Sequence, residues 1–295
     1  LMHGHPLTVP ASPSLAAVRS LIESADVVLA LGTEFGPTDY DMYATDQWPQ
    51  MQQLIRVDIC DPQLGRHPAV LPIRADADRF ATALCAALPA ECAGSGGAAR
   101  AAEARQAALQ EIGADYRAQV AVLDAMREAM PGSVMVGDST QPIYAGNLYY
   151  DHDHPGGWFN AATGYGALGY GIPAAIGAAI AAPDRPVICI VGDGGAQFSL
   201  PEVMTAVDEN LPITFVIWNN QGYREFATSM QEVGVAVIGC DPTPPSFAAT
   251  ALSFGIPHVI VADDPAEIAA AIAKKPGQGP CIVEVTAPVF APAED

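Results

Sequence analysis

The chain has 295 residues, 50% of them hydrophobic, and a formal net charge of −20. That length and composition call for one or two globular domains with an ample core. No apolar run is long enough to span a bilayer, the opening residues do not read as a signal peptide, and the acidic balance makes nucleic acid and anionic membranes poor partners.

Cysteines at 60, 85, 92, 189, 240 and 281 show no metal-ligand spacing and read as reduced thiols of a cytoplasmic protein. Lysine occurs only at Lys274 and Lys275. The charge has two readings: a surface complementary to a cationic ligand, or the Lys-poor, acid-rich surface of a salt-adapted source.

In chain order, residues 14–24 read as a helix with Leu15, Val18, Leu21 and Ile22 on one face. Strands are expected at 25–31, closed by Gly32-Thr33-Glu34, and at 54–59 and 71–74, with a helix at 78–88. Three parallel strands are only part of a doubly wound domain and leave a sheet edge and an apolar face uncovered. Residues 91–103 are rich in Ala, Gly and Ser and read as a linker. Helical runs follow at 104–113 and 120–130, then a strand at 133–136 that ends in Gly137-Asp138-Ser139-Thr140-Gln141. Asp151-His152-Asp153-His154, beside Pro155-Gly156-Gly157, invites a metal reading but is expected to be a solvated loop. His67 and His258 are isolated and read as structural or exposed.

Gly164-Tyr165-Gly166-Ala167-Leu168-Gly169 matches a dinucleotide fingerprint. The preceding Trp158-Phe159-Asn160 makes a poor strand, and Asp184 lies in a Pro-flanked loop, so NAD is discounted. Residues 187–191 form a β-branched run typical of a buried parallel strand. The run enters Gly192-Asp193-Gly194-Gly195 and then a helix, where Ser199 and Glu202 have capping-box spacing. A second buried strand, 213–218, ends at Asn219-Asn220. The tail alternates helix 247–254, strand 258–261, helix 265–273 and strand 281–285 before a Pro-rich, acidic end. The fold class is α/β: a doubly wound parallel sheet over 104–295, preceded by part of a second α/β domain over 1–90.

Ligands of open parallel sheets bind at the carboxyl ends of the strands. Asp193 offers a carboxylate there, Asn220 an amide oxygen, and the chain just after Asn220 a carbonyl. Hard oxygens of low total charge suit Mg²⁺. The glycines let backbone N–H groups approach a phosphate.

Gly192-Asp193-Gly194, 24 further residues (195–218), then Asn219-Asn220 resembles the thiamine diphosphate motif of the 2-oxo acid decarboxylases and acetolactate synthases. The segment from Gly166 to Gly177 and the strands around 25–32 and 56–59 also resemble this family, whose full length is about twice this chain. The resemblance implies the thiamine diphosphate-binding fold over 104–295, joined by 91–103 to a partial central domain. It implies thiamine diphosphate and Mg²⁺ as cofactors, with Asp193, Asn220 and the Gly222 carbonyl on the metal. Ser139, Thr140, Gly194 and Gly195 fall at the diphosphate. Leu168 takes the place of the wedge that keeps the cofactor bent, and the Gly166 backbone that of the partner of its 4′-amino group. Tyr223 and Glu225 would stand at the cofactor's mouth, with Glu225 facing a cationic substrate or pairing with Arg224 on the surface, the latter favoured.

The implied reaction is non-oxidative decarboxylation of a 2-oxo acid. The segment Ser139-Thr140-Gln141 and the lack of a Trp after Trp218 resemble 2-ketoarginine decarboxylases, whose substrate is a guanidino 2-oxo acid. Acetolactate synthase-type carboligation and a non-catalytic cofactor-binding subunit are the alternatives. The family's activating glutamate belongs to a pyrimidine-binding domain that none of these residues resembles. A neighbouring subunit or a further segment would supply it, in a homodimer or homotetramer, and this half alone is expected to be inactive.

Overall fold

The computed structural model describes residues 3–37, 39–40, 42–43, 45–89, 96–274 and 279–289. It divides into two compact units, His3–Gly113 and Ala114–Asp295.

The first unit carries helix α1 (Ala16–Glu23), strands β1 (Val28–Leu31) and β2 (Leu54–Asp58), the short α2 (Asp61–Leu64), β3 (Leu71–Arg74), α3 (Ala77–Ala87) and α4 (Gly97–Glu111). Its three strands pair in parallel in the order β1-β2-β3. The sheet leaves Leu29, Leu31 and Leu71 exposed. Arg56 is buried in β2, because its guanidinium donates to the Gln63 and Thr33 carbonyls and lies 4.8 Å from the Phe35 ring centroid.

The linker expected over 91–103 is helical from Gly97 onward; residues 90–95 lie outside the described residues. Helix α4 is nearly all Ala, Arg, Gln and Glu, strong helix formers that need little apolar periodicity. Glu111 at its end accepts the Ala16 and Ala17 N–H groups, capping α1, and Arg100 donates to Ser24. These contacts make α4 part of the first unit.

The second unit runs α5 (Gly113–Ala129), β4 (Val134–Gly137), α6 (Gln141–Leu148), β5 (Trp158–Asn160), α7 (Gly171–Ala181), β6 (Val187–Gly192), α8 (Asp193–Ala196), α9 (Val203–Asp208), β7 (Ile213–Asn219), α10 (Arg224–Glu232), α11 (Phe247–Phe254), β8 (His258–Ala262), α12 (Pro265–Ala273) and β9 (Cys281–Thr286). Its six strands are parallel, in the order β5-β4-β6-β7-β9-β8. Alternate residues of β6 serve opposite cores. Val187, Cys189 and Val191 pack with α7, α9 and α11, whereas Ile188 and Ile190 pack with α5, α6 and α12. The result is a helix–sheet–helix sandwich, the doubly wound α/β architecture the apolar strands call for.

Several local expectations differ. Trp158–Asn160 does form a strand, held at the sheet edge by pairing with Met135 to Gly137. It stops four residues short of Gly164, so the Gly-rich turn still does not spring from a strand. Ser199 caps nothing with its side chain. Its carbonyl accepts the Glu202 N–H in a 3₁₀ turn over Leu200–Glu202, which displaces the capping box. Helices α6 and α10 were not expected from the sequence: α6 carries no strong apolar period, and α10 is amphipathic but short and polar overall.

The loop at 151–154 is packed rather than solvated. Asp153 accepts the Gly132 N–H at 2.7 Å and His154 Nδ1 at 2.6 Å. His152 donates from Nε2 to the Ser133 carbonyl at 3.0 Å, which leaves Nδ1 to accept from the Tyr150 hydroxyl at 3.1 Å. Ligand-type atoms of the three residues lie within 4.8 Å of one another, yet both His152 nitrogens are already used. The cluster ties the loop to the start of β4.

Candidate active site

The chain order places a reversal at β4. After β4 it crosses to β5 on one side, and after β5 it crosses back to β6 on the other. The carboxyl ends of β4 and β6 therefore part at a topological switch point, where such sheets bind ligands. One cleft opens there. Its walls are Ser139 and Thr140 after β4, Leu168 from the Gly-rich turn, Gly194 and Gly195 in α8, and the chain beyond β7. Asn220, Gly222, Tyr223 and Glu225 come from that last segment.

Asp193 is 1% exposed and starts α8 directly off β6. Its Oδ1 accepts the Asn220 N–H at 3.4 Å. Burial pushes its carboxyl up to about 6, against the lowering effect of nearby backbone N–H groups. Asn220, 5% exposed, donates from Nδ2 to Gln141 Oε1 at 2.8 Å. Two buried oxygens then remain without a partner: Asp193 Oδ2 and Asn220 Oδ1. Buried polar atoms are seldom left so, and these two are hard oxygens of the kind a Mg²⁺-type cation takes.

The two asparagines divide the work. Asn219 donates to Glu284 Oε1 at 2.7 Å and accepts the Gln221 N–H, so it shapes the turn, with Gln221 at φ +60°. Asn220 keeps its oxygen for the cleft. The turn is pinned by the Tyr223 N–H, which donates to the Cys240 carbonyl at 2.7 Å. A Cβ on Gly222 would stand 2.5 Å from that same carbonyl oxygen, and one on Gly194 would stand 2.4 Å from the Tyr223 ring. Backbone blocks any side chain at Gly222, and at Gly194 the Tyr223 ring would have to move.

Across the cleft, Asp138 organises the Gly-rich turn. It is fully buried and accepts the N–H groups of Ser139 (2.8 Å), Gly169 (2.7 Å) and Gly171 (3.4 Å). That fixes half-buried Leu168 against the cleft, with its Cδ2 3.4 Å from where a Gly195 Cβ would be. Gly166 is exposed and apart from the lining; its carbonyl accepts the Ser139 hydroxyl at 3.2 Å. Asp138 and Gln141 were not among the expected site residues, although both sit at a strand end beside Ser139 and Thr140.

Glu225 turns into the cleft in the first turn of α10 instead of pairing with Arg224. Among the described residues no ion pair joins the two. Burial, then the neighbouring Glu232, raise its carboxyl, and Arg224 lowers it. Tyr223 packs edge-on against Phe226, with centroids 6.2 Å apart.

Residues 138–285 match the thiamine pyrophosphate enzyme C-terminal binding domain, and residues 1–84 match the central domain of the same enzymes. The chain is 36% identical over 255 residues to a probable 2-ketoarginine decarboxylase of Pseudomonas aeruginosa, covering 85% of this chain and 45% of that protein. It is 31% identical over 239 residues to a sulfoacetaldehyde acetyltransferase of Alcaligenes xylosoxydans xylosoxydans, covering 70% and 39%. The fold is shared with a thiamine diphosphate-dependent 4-hydroxybenzoylformate decarboxylase of Rhodococcus jostii RHA1. There the TM-score is 0.69 and the identity 23%, over 96% of this chain and 52% of that one. The chain thus spans about half the length of the relatives it matches.

Proposed function

This chain belongs to the thiamine pyrophosphate enzymes, and we propose that it is the diphosphate-binding part of a Mg²⁺-dependent 2-oxo acid decarboxylase, acting on a guanidino 2-oxo acid. The observation that carries the cofactor reading is the pair of buried, unpartnered oxygens on Asp193 and Asn220 at the ends of adjacent strands. With the Gly222 carbonyl they form a donor set of one negative charge, suited to Mg²⁺ with phosphate oxygens completing its shell. The cofactor, when bound, supplies the electron sink for breaking a bond beside a carbonyl.

The chain's own residues hold and shield it. Ser139, Thr140 and the N–H groups of Gly194 and Gly195 face the diphosphate position. Gln141 orients the Asn220 amide by accepting its N–H, and Asp138 holds the turn that presents Leu168 as an apolar support. Tyr223, backed by Phe226, limits water at the mouth. A pyrimidine-binding domain with the activating carboxylate comes from outside these residues, in a homodimer or homotetramer. The substrate reading is supported by the relative named as a probable 2-ketoarginine decarboxylase and by the acidic mouth at Glu225.

The test is a product assay on the protein together with its pyrimidine-binding half, thiamine diphosphate and Mg²⁺. 5-Guanidino-2-oxopentanoate and pyruvate are supplied in turn and followed by NMR. Release of CO₂ and an aldehyde from the guanidino acid is the expected result. Acetolactate from pyruvate would assign the chain to carboligation instead, and no product from either acid, with cofactor bound, would make it a binding subunit.

A further inference from the structure

The outer wall of the cleft is not used by any residue placed on the metal or the diphosphate. Glu225 from α10 and Tyr144 from α6 line it together. The Tyr144 hydroxyl is held above its ordinary value by burial and then by Glu225, with the Ser139 side chain acting against them. Tyr116 of α5 feels the same two groups: burial, then Glu225, then Tyr144 push its hydroxyl up to about 12. A phenol ring and a carboxylate, both partly withdrawn from water, thus share one corner of the cleft.

The charges around that corner do not balance. Glu225 feels Glu232 and Arg224, and Tyr116 feels Glu225, Tyr144, Glu232 and Arg224. Arg224 also acts on Asp263, whose own carboxyl is raised by burial. One guanidinium therefore serves several carboxylates, and among the described residues it forms no ion pair with Glu225. A half-buried carboxylate with no cation in direct contact is costly. An exposed one would need no explanation, but this one faces a ligand cleft.

We propose that this corner is a cation subsite, with Glu225 as the counter-charge and the ring of Tyr144 as its side, and that it takes the far end of a substrate bearing a guanidinium group. A planar guanidinium can donate two parallel hydrogen bonds to the carboxylate and lay its face on a tyrosine ring. A substrate with a neutral tail of equal length would leave Glu225 desolvated and unpaired, so the site discriminates by that penalty as well as by attraction. The inference rests on the 2-oxo acid reading and deepens it by assigning the residues that select the substrate's tail.

Two measurements separate the inference from the reading it rests on. On the cofactor-loaded protein with its pyrimidine-binding half, kcat/KM is determined for 5-guanidino-2-oxopentanoate and for neutral 2-oxooctanoate, whose tail is of equal length. The ratio of the two is expected to fall about tenfold or more in Glu225→Gln, mainly through KM, and to recover in part in Glu225→Asp. Separately, butylguanidinium is titrated into the wild-type chain and Glu225→Gln, with Tyr ring signals followed by NMR. Saturable binding that weakens about tenfold in the variant and at high salt is expected. An unchanged ratio, or butylguanidinium binding that is absent or indifferent to Glu225→Gln, overturns the subsite even if both acids are decarboxylated. Binding that depends on Glu225 in a protein that decarboxylates neither acid upholds the subsite and rejects the reaction.

Discussion

Replacing Asp193 with Asn separates what this carboxylate costs the fold from what it does for the ligand. Its carboxyl stands at about 6 where the ordinary value is 3.8, because burial disfavours the charged form. That difference corresponds to about 3 kcal/mol of charging cost at neutral pH, or about 1–2 kcal/mol after allowing for solvent screening. The folded value is the raised one, so the stability tied to the neutral form is complete below pH 3.8 and is lost as the pH rises through about 6. A neutral amide at this position carries no such cost. Without cofactor, the Asp193→Asn chain is therefore expected to match wild type near pH 4 and to melt about 3–6 °C higher at pH 8. Saturating Mg²⁺ and thiamine diphosphate should reverse the order. A ligand at a hundred times its Kd stabilises wild type by about 2.7 kcal/mol, whereas the variant has lost a metal ligand and should gain little. Differential scanning calorimetry at several pH values, with and without cofactor, reads both effects. A variant no more stable than wild type at pH 8 without cofactor would mean that the carboxylate is not desolvated. A variant that keeps the full cofactor-dependent shift would remove Asp193 from the metal.

Gln141→Leu should free the Asn220 amide, whose Nδ2 now donates to Gln141. Affinity for Mg²⁺ and thiamine diphosphate, measured by titration calorimetry, is expected to fall about 10- to 100-fold with the melting temperature little changed. Gly222→Ala would drive a methyl to 2.5 Å from the Cys240 carbonyl. The turn must shift, so cofactor binding should be lost along with about 1–3 kcal/mol of stability in urea. Asp153→Ala removes the acceptor of the Gly132 N–H and of His154. Although burial opposes its ionisation, these partners hold the Asp153 carboxyl below its ordinary value, so its contribution is present at neutral pH and lost as the pH falls below the usual carboxylate range. A loss of about 1–3 kcal/mol at pH 7 in urea denaturation is expected, with cofactor affinity unchanged.

The strands and the two cofactor-facing turns were legible because their signals are local. Val187 to Val191 is apolar on both faces, which only a strand covered on both sides can use. The pattern Gly192-Asp193-Gly194 with Asn219-Asn220 carries its chemistry in the residue types themselves. Less legible were elements whose stability comes from partners far along the chain. Helix α4 has no apolar stripe and is fixed by Arg100 and Glu111 reaching α1. Ser199 has the spacing of a cap but is overruled by a backbone turn. The Asp151–His154 loop reads as polar and exposed until Gly132 and Ser133 supply its hydrogen bonds. No helix among the described residues is long and apolar enough to cross a membrane.

Sequence by itself determined the fold class and placed Asp193, Asn220 and the glycines beside them at the strand ends, because residue type and short spacing dictate each of them. Tertiary structure decided which of two adjacent asparagines keeps a free oxygen, since that depends on Gln141 and Glu284, 79 and 65 residues away in the chain. It also decided that Glu225 forms no ion pair with its neighbour Arg224 among the described residues and lines the cleft with Tyr144, because helix packing, not sequence adjacency, sets which charge meets which surface.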